Sequence, residues 1–285
     1  MKYPFSLAFI AFLTFSCTRT NNSPQGPSPS PADSLLKSYT IYSPGEHIRQ
    51  VQLFSYDSHL QLASLHSYTY DTSIGDAYLD SISVVLSLTG TATPPPSYDI
   101  LYQYHWAPPG GLLEHHVLFY DSQNRAVRDS IAAGNNQTNN TCVHFYYDAV
   151  STVGQNLGYG PIDPNQVILG EKDSFQIASE NIFDDVRYAP PGYGMIHEYA
   201  YLYSSYVSPL YNQTLAGSLG CTLLFHGFSD FRSKNLPSES AKVDGVSSGI
   251  GLQYSWTTDS IGRVIHGVAV TGIDLNPVQI HDFTY

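Results

Sequence analysis

Charged residues are scarce in this chain of 285 residues, and basic ones are the scarcest, since 12 Lys and Arg face 24 Asp and Glu. The formal net charge is −12. Nucleic-acid binding requires clustered Lys and Arg to neutralise phosphates, and the chain has no basic run. This composition therefore argues against nucleic acid and against an anionic membrane surface as partners.

The chain also lacks an apolar run long enough to cross a membrane as a helix. The longest such run extends from Phe5 to Phe15, about eleven residues, whereas a spanning helix needs about 20. Lys2 precedes it, and a positive charge before a short apolar stretch is typical of a secretory signal peptide. No P-loop, dinucleotide fingerprint, EF-hand or C-x-x-C motif is present, so we predict no cofactor.

The end of the apolar run reads LTFSC, from Leu13 to Cys17. It resembles a lipobox, the bacterial signal in which a cysteine is acylated and becomes the new amino terminus, with the leucine one position earlier than usual. The following residues 18–33 are rich in Pro, Ser and Asn, a composition typical of a flexible tether. We therefore predict a lipoprotein signal peptide over 1–16, a tether over 17–39, and attachment to a bacterial envelope membrane through Cys17. An ordinary secretory peptide that is cut elsewhere is the alternative.

Two further cysteines, Cys142 and Cys221, follow the predicted lipidation site. Disulfides persist in the oxidising compartments outside the cytoplasm. The two residues are predicted either to form a disulfide or to be separately buried thiols, because sequence does not supply the distance between them.

Tyrosine is abundant, at 23 residues, and aromatic and β-branched side chains favour strands. Apolar and polar residues alternate in several segments. From Tyr78 to Leu88, Tyr78, Ile82 and Val84 are predicted to share one face, and Leu252, Tyr254 and Trp256 share another. We predict a single all-β domain over 40–285, an antiparallel meander of β-hairpins that forms a large twisted sheet or a sandwich- or barrel-like domain.

Tyr-Asp pairs followed by polar turns recur along this domain, with Asp at positions 57, 71, 121 and 148, and a variant has Thr258 before Asp259. In YDSQNRAV from Tyr120 and TDSIGRVI from Thr258, the Asp is predicted to form an Asx-turn. Asn124 and Gly262 are then suited to the left-handed conformation that reverses the chain. In these residues the chain resembles the Tyr-Asp repeat families of RHS type and small uncharacterised bacterial envelope lipoproteins with irregular Tyr-Asp hairpins. The resemblance implies a hairpin-rich sheet.

A second internal similarity relates WAPPGG from Trp106 to YAPPGY from Tyr188. Pro-Gly at the centre of each suits a type II turn. The segments around 98–120 and 182–203 are therefore predicted to be duplicated hairpins, or two independent uses of the same turn chemistry.

Two sets of residues are weak candidates for chemistry. If these two hairpins pair, Glu114, His116 and His197 are predicted to converge and to bind a transition metal. Ser247 lies in a G-x-S-x-G pattern and is followed by Asp274 and His281, in the order found in serine hydrolases. A Gly/Ser-rich loop is the competing interpretation of that pattern.

Tyr199, Tyr201 and Tyr203 alternate along one predicted strand face. They are candidates for stacking on sugar rings, in which case Ala200 and Leu202 are predicted to face the core. The alternative is that these tyrosines pair across a wide sheet.

Asp-Ser-aliphatic triplets occur four times and resemble an O-glycosylation acceptor pattern of Gram-negative envelope proteins. Ser34, in the tether, is the best candidate for modification.

The sequence as a whole predicts a non-catalytic, membrane-anchored envelope lipoprotein that binds a glycan or another envelope protein. An envelope hydrolase or metal-dependent enzyme is one alternative, and a carrier of a lipid or other hydrophobic ligand is another.

Overall fold

The computed structural model describes residues 35–87, 97–104, 111–123, 126–133, 140–147, 151–159, 167–178, 181–188, 195–211, 233–244, 247–248, 251–271 and 276–285. These residues form seventeen strands. Their bounds are β1 (Ser38–Ser43), β2 (Ile48–Tyr56), β3 (Leu62–Asp71), β4 (Ala77–Ser87), β5 (Ser97–Tyr104), β6 (Leu112–Tyr120), β7 (Ala126–Ala133), β8 (Asn140–Tyr147), β9 (Ser151–Tyr159), β10 (Val167–Ala178), β11 (Asn181–Tyr188), β12 (Met195–Val207), β13 (Asn235–Asp244), β14 (Ser247–Ser248), β15 (Leu252–Thr258), β16 (Val264–Thr271) and β17 (Pro277–Thr284).

Each strand pairs antiparallel with the next one along the chain, except that β13 pairs both with the two-residue β14 and with β15. The meander then closes, because β1 pairs with β2 on one side and with β17 on the other. At the closure Tyr39 lies opposite Phe283, and Ile41 opposite His281. The predicted all-β antiparallel meander is confirmed, and the barrel-like alternative describes it best, since the sheet is closed.

The core lies on the inside of this closed sheet. Residues opposite one another in register share a face, so Phe54, Leu65 and Val84 form one buried row across β2, β3 and β4. Leu65 and Val84 are among the largest side chains whose exposed fraction is below 2%. The two ends of the domain add Leu36, Tyr39 and Phe283 to the same cluster.

The predicted Asx-turns are present in the described Tyr-Asp units. The Asp57, Asp71, Asp121 and Asp259 carboxylates each accept a hydrogen bond from the backbone N–H two residues later, at 2.8–3.0 Å. Gly262 has a φ of 88°, a left-handed conformation that glycine adopts without steric cost. Asp148 and Asn124 lie outside the described residues.

The outward face carries paired charged and polar groups. His115 lies opposite Asp99 and bonds it at 2.5 Å, and His266 lies opposite Asp282 and bonds it at 2.7 Å. On the neighbouring strand pair the Arg128 guanidinium lies 3.8 Å from the centre of the Phe119 ring. These cross-strand contacts join adjacent strands on the side that faces away from the core.

Two details differ from the sequence expectation. The domain begins earlier than residue 40, because Leu36 is 4% exposed, belongs to the core and accepts a hydrogen bond from the Tyr56 hydroxyl at 2.8 Å. The predicted face of Tyr78 is wrong, since a bulge between β3 and β4 places Tyr78 opposite Tyr70 and leaves it 40% exposed. A bulge adds one residue to a strand and so reverses the faces beyond it.

The two similar Pro-Gly turns lie outside the described residues, but the strands that flank them form two separate hairpins. β5 pairs with β6, and β11 with β12, but β6 and β12 share no ladder, since β6 pairs with β5 and β7 and β12 with β11 and β13. Strand pairing therefore does not bring Glu114 and His116 next to His197, and the condition for that metal cluster is not met.

Within the described part of the chain, no helix has the length and apolarity required to cross a membrane.

Gly267 on β16 is predicted to be essential for the packing of Trp256. A Cβ at Gly267 would lie 2.3 Å from two atoms of the Trp256 ring, which is held by its own hydrogen bond from Nε1 to the Pro237 carbonyl oxygen at 2.7 Å. We expect Gly267→Ala to lower the free energy of unfolding by about 1–3 kcal/mol, measured by urea denaturation.

Gly45→Ala is the matched control, because a Cβ there meets no atom within 4 Å. Its unfolding free energy should stay within about 0.5 kcal/mol of the wild type. Equal effects of the two substitutions would contradict the predicted contact between Gly267 and Trp256.

Candidate functional site

A cavity of about 300 Å³ opens on the inside of the closed sheet and is lined mainly by residues of β1, β12, β13, β15 and β17. We call it the aromatic cavity. Six of its lining residues carry phenol or indole rings, namely Tyr39, Tyr199, Tyr201, Tyr203, Tyr254 and Trp256. Its volume lies at the lower end of the range for small-molecule pockets.

The predicted tyrosine row forms one wall of the aromatic cavity. The ring centres of Tyr199 and Tyr201 are 6.4 Å apart with an interplanar angle of 27°, and those of Tyr201 and Tyr203 are 6.3 Å apart. The Tyr203 hydroxyl donates to the Ile182 carbonyl oxygen and contacts the Ser233 hydroxyl at 2.8 Å. The expectation that Leu202 faces the core is wrong: it is 62% exposed, because the tyrosines take the inward positions of β12.

On β15, two strands away from the tyrosine row in the sheet, Tyr254 and Trp256 also line the cavity, and their rings are nearly parallel, 5.8 Å apart at 5°. Polar tips fix both rings, since the Tyr254 hydroxyl lies 3.1 Å from the Ser240 hydroxyl and the Trp256 Nε1–H donates to the Pro237 carbonyl oxygen. The alternation in Leu252, Tyr254 and Trp256 indicated their shared face. The closeness of this pair to the tyrosine row depends on the pairing of β13 with both β12 and β15.

His281 on β17 completes the aromatic cavity, and its imidazole is buried. Its Nδ1 lies 2.7 Å from the Tyr39 hydroxyl, while its Nε2 is buried and has no hydrogen-bond partner. Burial lowers the pKa of His281 to about 4, because desolvation disfavours the charged form. His281 is therefore neutral at pH 7.

The remaining walls mix apolar and uncharged polar groups. Ile41, Leu210 and Leu252 supply aliphatic surface, and Ser208 and Gln279 supply a hydroxyl and an amide. The lining residues that the structure describes include no Asp, Glu, Lys or Arg. The aromatic cavity therefore suits an uncharged ligand that has both an apolar surface and polar groups.

A second polar group on the inner side of the sheet surrounds His116, which is completely buried together with Asp129. His116 Nδ1 lies 2.8 Å from Asp129 Oδ2, and Glu114 Oε2 lies 3.4 Å from Nε2. The sequence did place Glu114 and His116 on one face, but the third member is Asp129 on the neighbouring β7, which sequence reasoning missed. Among the described residues, no group of three or more His, Cys, Asp or Glu side chains, including this one, is arranged so that it could hold a metal ion.

Burial alone would lower the pKa of His116, but its hydrogen bond with Asp129 and the negative charges of Asp129 and Glu114 raise it above the usual value. A buried imidazolium is tolerated only next to such partners. These three side chains therefore form a structural ion-pair group inside the closed sheet.

The serine-hydrolase interpretation finds no support in the placement of His281. In a Ser-His-Asp triad the histidine Nδ1 bonds a carboxylate, whereas Nδ1 of His281 is bonded to the Tyr39 hydroxyl. Ser247 belongs to the two-residue strand β14, opposite Asp244, and Asp274 lies outside the described residues.

The remaining predicted sites stay predictions. Cys142 lies on β8, opposite Ser130 and Leu157 in register, but Cys221 lies outside the described residues. Cys17 and Ser34 lie outside them as well.

Comparison with known proteins shows a likeness in structure only. No family model and no curated protein matches the chain. A crystal structure of a porin-like protein from Bacteroides uniformis matches with a TM-score of 0.53 and 11% sequence identity, covering 87% of this chain and 96% of that one. The likeness shows the fold. A porin-like protein from Bacteroides vulgatus has a TM-score of 0.48 at 9% identity, covering 89% of this chain and 99% of that one.

The buried pair of His116 and Asp129 predicts a pH-dependent stability. The pKa of His116 in the folded state is raised above its value of about 6.5 in the unfolded state. Its contribution to the free energy of unfolding is therefore complete below pH 6.5 and is lost as the pH rises through the folded-state pKa. In Asp129→Asn we expect a loss of about 3 kcal/mol at pH 6 and a weaker decline of the unfolding free energy between pH 6.5 and 8.5. Urea denaturation across this range measures both.

Asp99→Asn is the matched control, because it breaks the similar but exposed pair with His115. Exposed pairs contribute about 0–1 kcal/mol, so both the stability and its pH profile should stay close to the wild type. An Asp129→Asn profile parallel to that of the wild type would contradict the assignment.

Proposed function

We propose that this protein is a non-catalytic lipoprotein of the bacterial cell envelope that binds a glycan in the aromatic cavity. The observation that carries the proposal is the set of aromatic rings that line the cavity, with Tyr199 and Tyr201 on β12 and Tyr254 and Trp256 on β15. Each pyranose ring has faces of C–H groups that stack on aromatic rings, while its hydroxyls need hydrogen-bond partners.

The aromatic cavity supplies both kinds of contact. Its rings carry polar tips that already have protein partners, such as Tyr254 with Ser240 and Trp256 with Pro237. Rings held in this way lose little conformational freedom when a ligand binds, and preorganisation of this kind increases affinity. The uncharged polar groups of Ser208 and Gln279 are available on the remaining walls to contact hydroxyls.

A carrier of a hydrophobic ligand is the second candidate, and the aliphatic side chains of Ile41, Leu210 and Leu252 favour it. Against it, hydroxyl, amide and imidazole groups are interspersed with the apolar surface of the lining. A hydrocarbon tail would leave those polar atoms without partners, which is costly in a buried site. We therefore favour a sugar over a lipid tail.

A third candidate function is that of a channel, which a porin-like fold suggests. An aqueous channel of this architecture has a polar, open interior and an apolar outer band. Here the inner face is filled by side chains such as Leu65 and Val84. The outer face carries both polar pairs, such as Asp99 with His115, and exposed apolar side chains, such as Leu113. The filled interior is therefore the feature that favours ligand binding over transport.

Tyr201→Ala tests the binding function. Tyr201 lies in the middle of the tyrosine row, with a ring neighbour on each side. Aromatic contacts contribute about 0.5–1.5 kcal/mol beyond burial, so we expect this variant to weaken sugar binding about 2- to 10-fold. The measurement is retention of the full-length protein on an array of envelope polysaccharides, followed by titration calorimetry with the best ligand.

Tyr206→Ala is the matched control, because Tyr206 lies on the same strand but is 39% exposed and does not line the aromatic cavity. Its binding should equal that of the wild type. A blank array for the wild type, with lipid recovered from the purified protein by mass spectrometry, would favour the carrier instead.

Cys17→Ser tests the membrane anchor. Without the thiol no acyl chain can be attached, so we expect the protein to move from the membrane pellet to the soluble fraction and to lose incorporation of labelled palmitate. Cys142→Ser, on β8, should leave both unchanged. Unaltered membrane association of Cys17→Ser would contradict lipidation at this residue.

A further inference from the structure

We infer that Gly267 on β16 sets the size of the ligand that the aromatic cavity accepts, because it gives one edge of the Trp256 indole a place against the wall. The inference rests on the proposed function and adds two things to it. The first is a size class, which is one or two sugar rings. The second is the position that determines this size.

The first observation is that the indole of Trp256 lies over the backbone of Gly267. In register, Trp256 on β15 lies opposite Gly267, and Gly267 lies opposite His281 on β17. The backbones of β15 and β17 are two strand spacings apart, about 10 Å, yet the ring centres of Trp256 and His281 are 5.4 Å apart. The two rings therefore approach each other across the glycine.

The second observation is that this place is available to the indole because position 267 has no side chain. A Cβ there would lie 2.3 Å from Cε3 and from Cζ3 of Trp256, and 3.2 Å from Cη2. Carbon atoms in ordinary contact are about 3.5 Å apart, so the ring edge would have to retreat by about 1 Å. Gly267 lies within regular antiparallel pairing. The close approach of the indole therefore accounts for this glycine.

The third observation is that other groups hold the indole on its remaining sides. On β13 the Pro237 carbonyl oxygen accepts the hydrogen bond from Nε1 at 2.7 Å. The rings of Tyr254 and Phe283 have centres 5.8 Å and 6.2 Å from that of Trp256. A side chain at position 267 points to the inside of the closed sheet, as Trp256 does. It would therefore push the indole inward, into the aromatic cavity that Trp256 lines.

The volume of the aromatic cavity gives the size class. An apolar cavity of about 150 Å³ is large enough to bind benzene. The 300 Å³ of the aromatic cavity is therefore room for about two six-membered rings. We expect it to hold one or two sugar units, such as those at the end of an envelope polysaccharide. An indole displaced from Gly267 would take up part of that room, and a two-ring ligand would lose more affinity than a one-ring ligand.

The experiment compares one-ring with two-ring probes by titration calorimetry of the full-length protein. The sugar probes are methyl glycosides of single pyranoses and the corresponding disaccharides, and the sugar-independent probes are phenol and 2-naphthol. We expect the wild type to bind the two-ring member of each pair more tightly. In Gly267→Ala the affinity for two-ring probes should fall about 10-fold and that for one-ring probes less than about 3-fold.

Gly45→Ala is the matched control, since a Cβ at position 45 meets no atom within 4 Å, and it should bind every probe as the wild type does. Thermal unfolding checks that each variant is folded.

Trp256→Phe separates the effect on size from an effect on stability. The smaller ring lacks the edge that lies over Gly267, so adding Gly267→Ala to Trp256→Phe should change the ratio of two-ring to one-ring affinity by less than about 2-fold. Trp256→Phe alone introduces no clash and enlarges the cavity. It should therefore raise that ratio above the wild-type value, which tests the inference even if Gly267→Ala alone does not fold.

The outcomes separate this inference from the proposed function. An unchanged ratio in folded Gly267→Ala, an unchanged ratio in Trp256→Phe, or an equal loss from Gly267→Ala in both backgrounds would overturn the role of Gly267. Equal affinity of the wild type for one-ring and two-ring probes would overturn the size class. Binding of 2-naphthol but of no sugar would overturn the proposed glycan function, while the response of the naphthol-to-phenol ratio would still decide the role of Gly267. Failure of every probe to bind the wild type would overturn both.

Discussion

The pairing of β1 with β17 is the constraint on which the rest of the structure depends. It joins strands from the two ends of the domain, so that Tyr39 bonds His281 across 242 residues of sequence. A sheet that closes has no edge strands with unpaired backbone groups. It also has an inside, and only because of that inside do strands far apart in sequence face a common cavity.

The inside of the closed sheet is used in two ways. Across β2, β3 and β4 it is packed with apolar side chains, including Phe54, Leu65 and Val84. Along β12 and β15, which flank β13, large rings with polar groups at their ends replace the aliphatic side chains, and a cavity of about 300 Å³ remains. Aromatic rings anchored by hydrogen bonds cannot collapse into that space, because their polar tips fix them at the wall. The packing of these anchored rings therefore keeps the aromatic cavity open instead of filling it.

Local patterns predicted the local features well. The alternation in Leu252, Tyr254 and Trp256 gave the correct face, and the Tyr-Asp units with polar turns gave Asx-turns at Asp57, Asp121 and Asp259. Both depend on interactions within a few residues. The errors arose where a partner strand decides the outcome. A bulge in the pairing of β4 with β3 turns the side chain of Tyr78 to the outer face. Leu202 is exposed because the neighbouring tyrosines point inward.

The sequence by itself determined that the chain forms antiparallel hairpins, where they turn, and which side chains of most strands share a face, because these follow from the two-residue period of a strand and from short-range hydrogen bonds. Only the tertiary structure decided which strands become neighbours. Asp129 on the neighbouring β7 lies beside His116, and the tyrosine row lines the same cavity as Trp256. Strand neighbours and closure depend on register and bulges along the whole meander, and no local pattern carries that information.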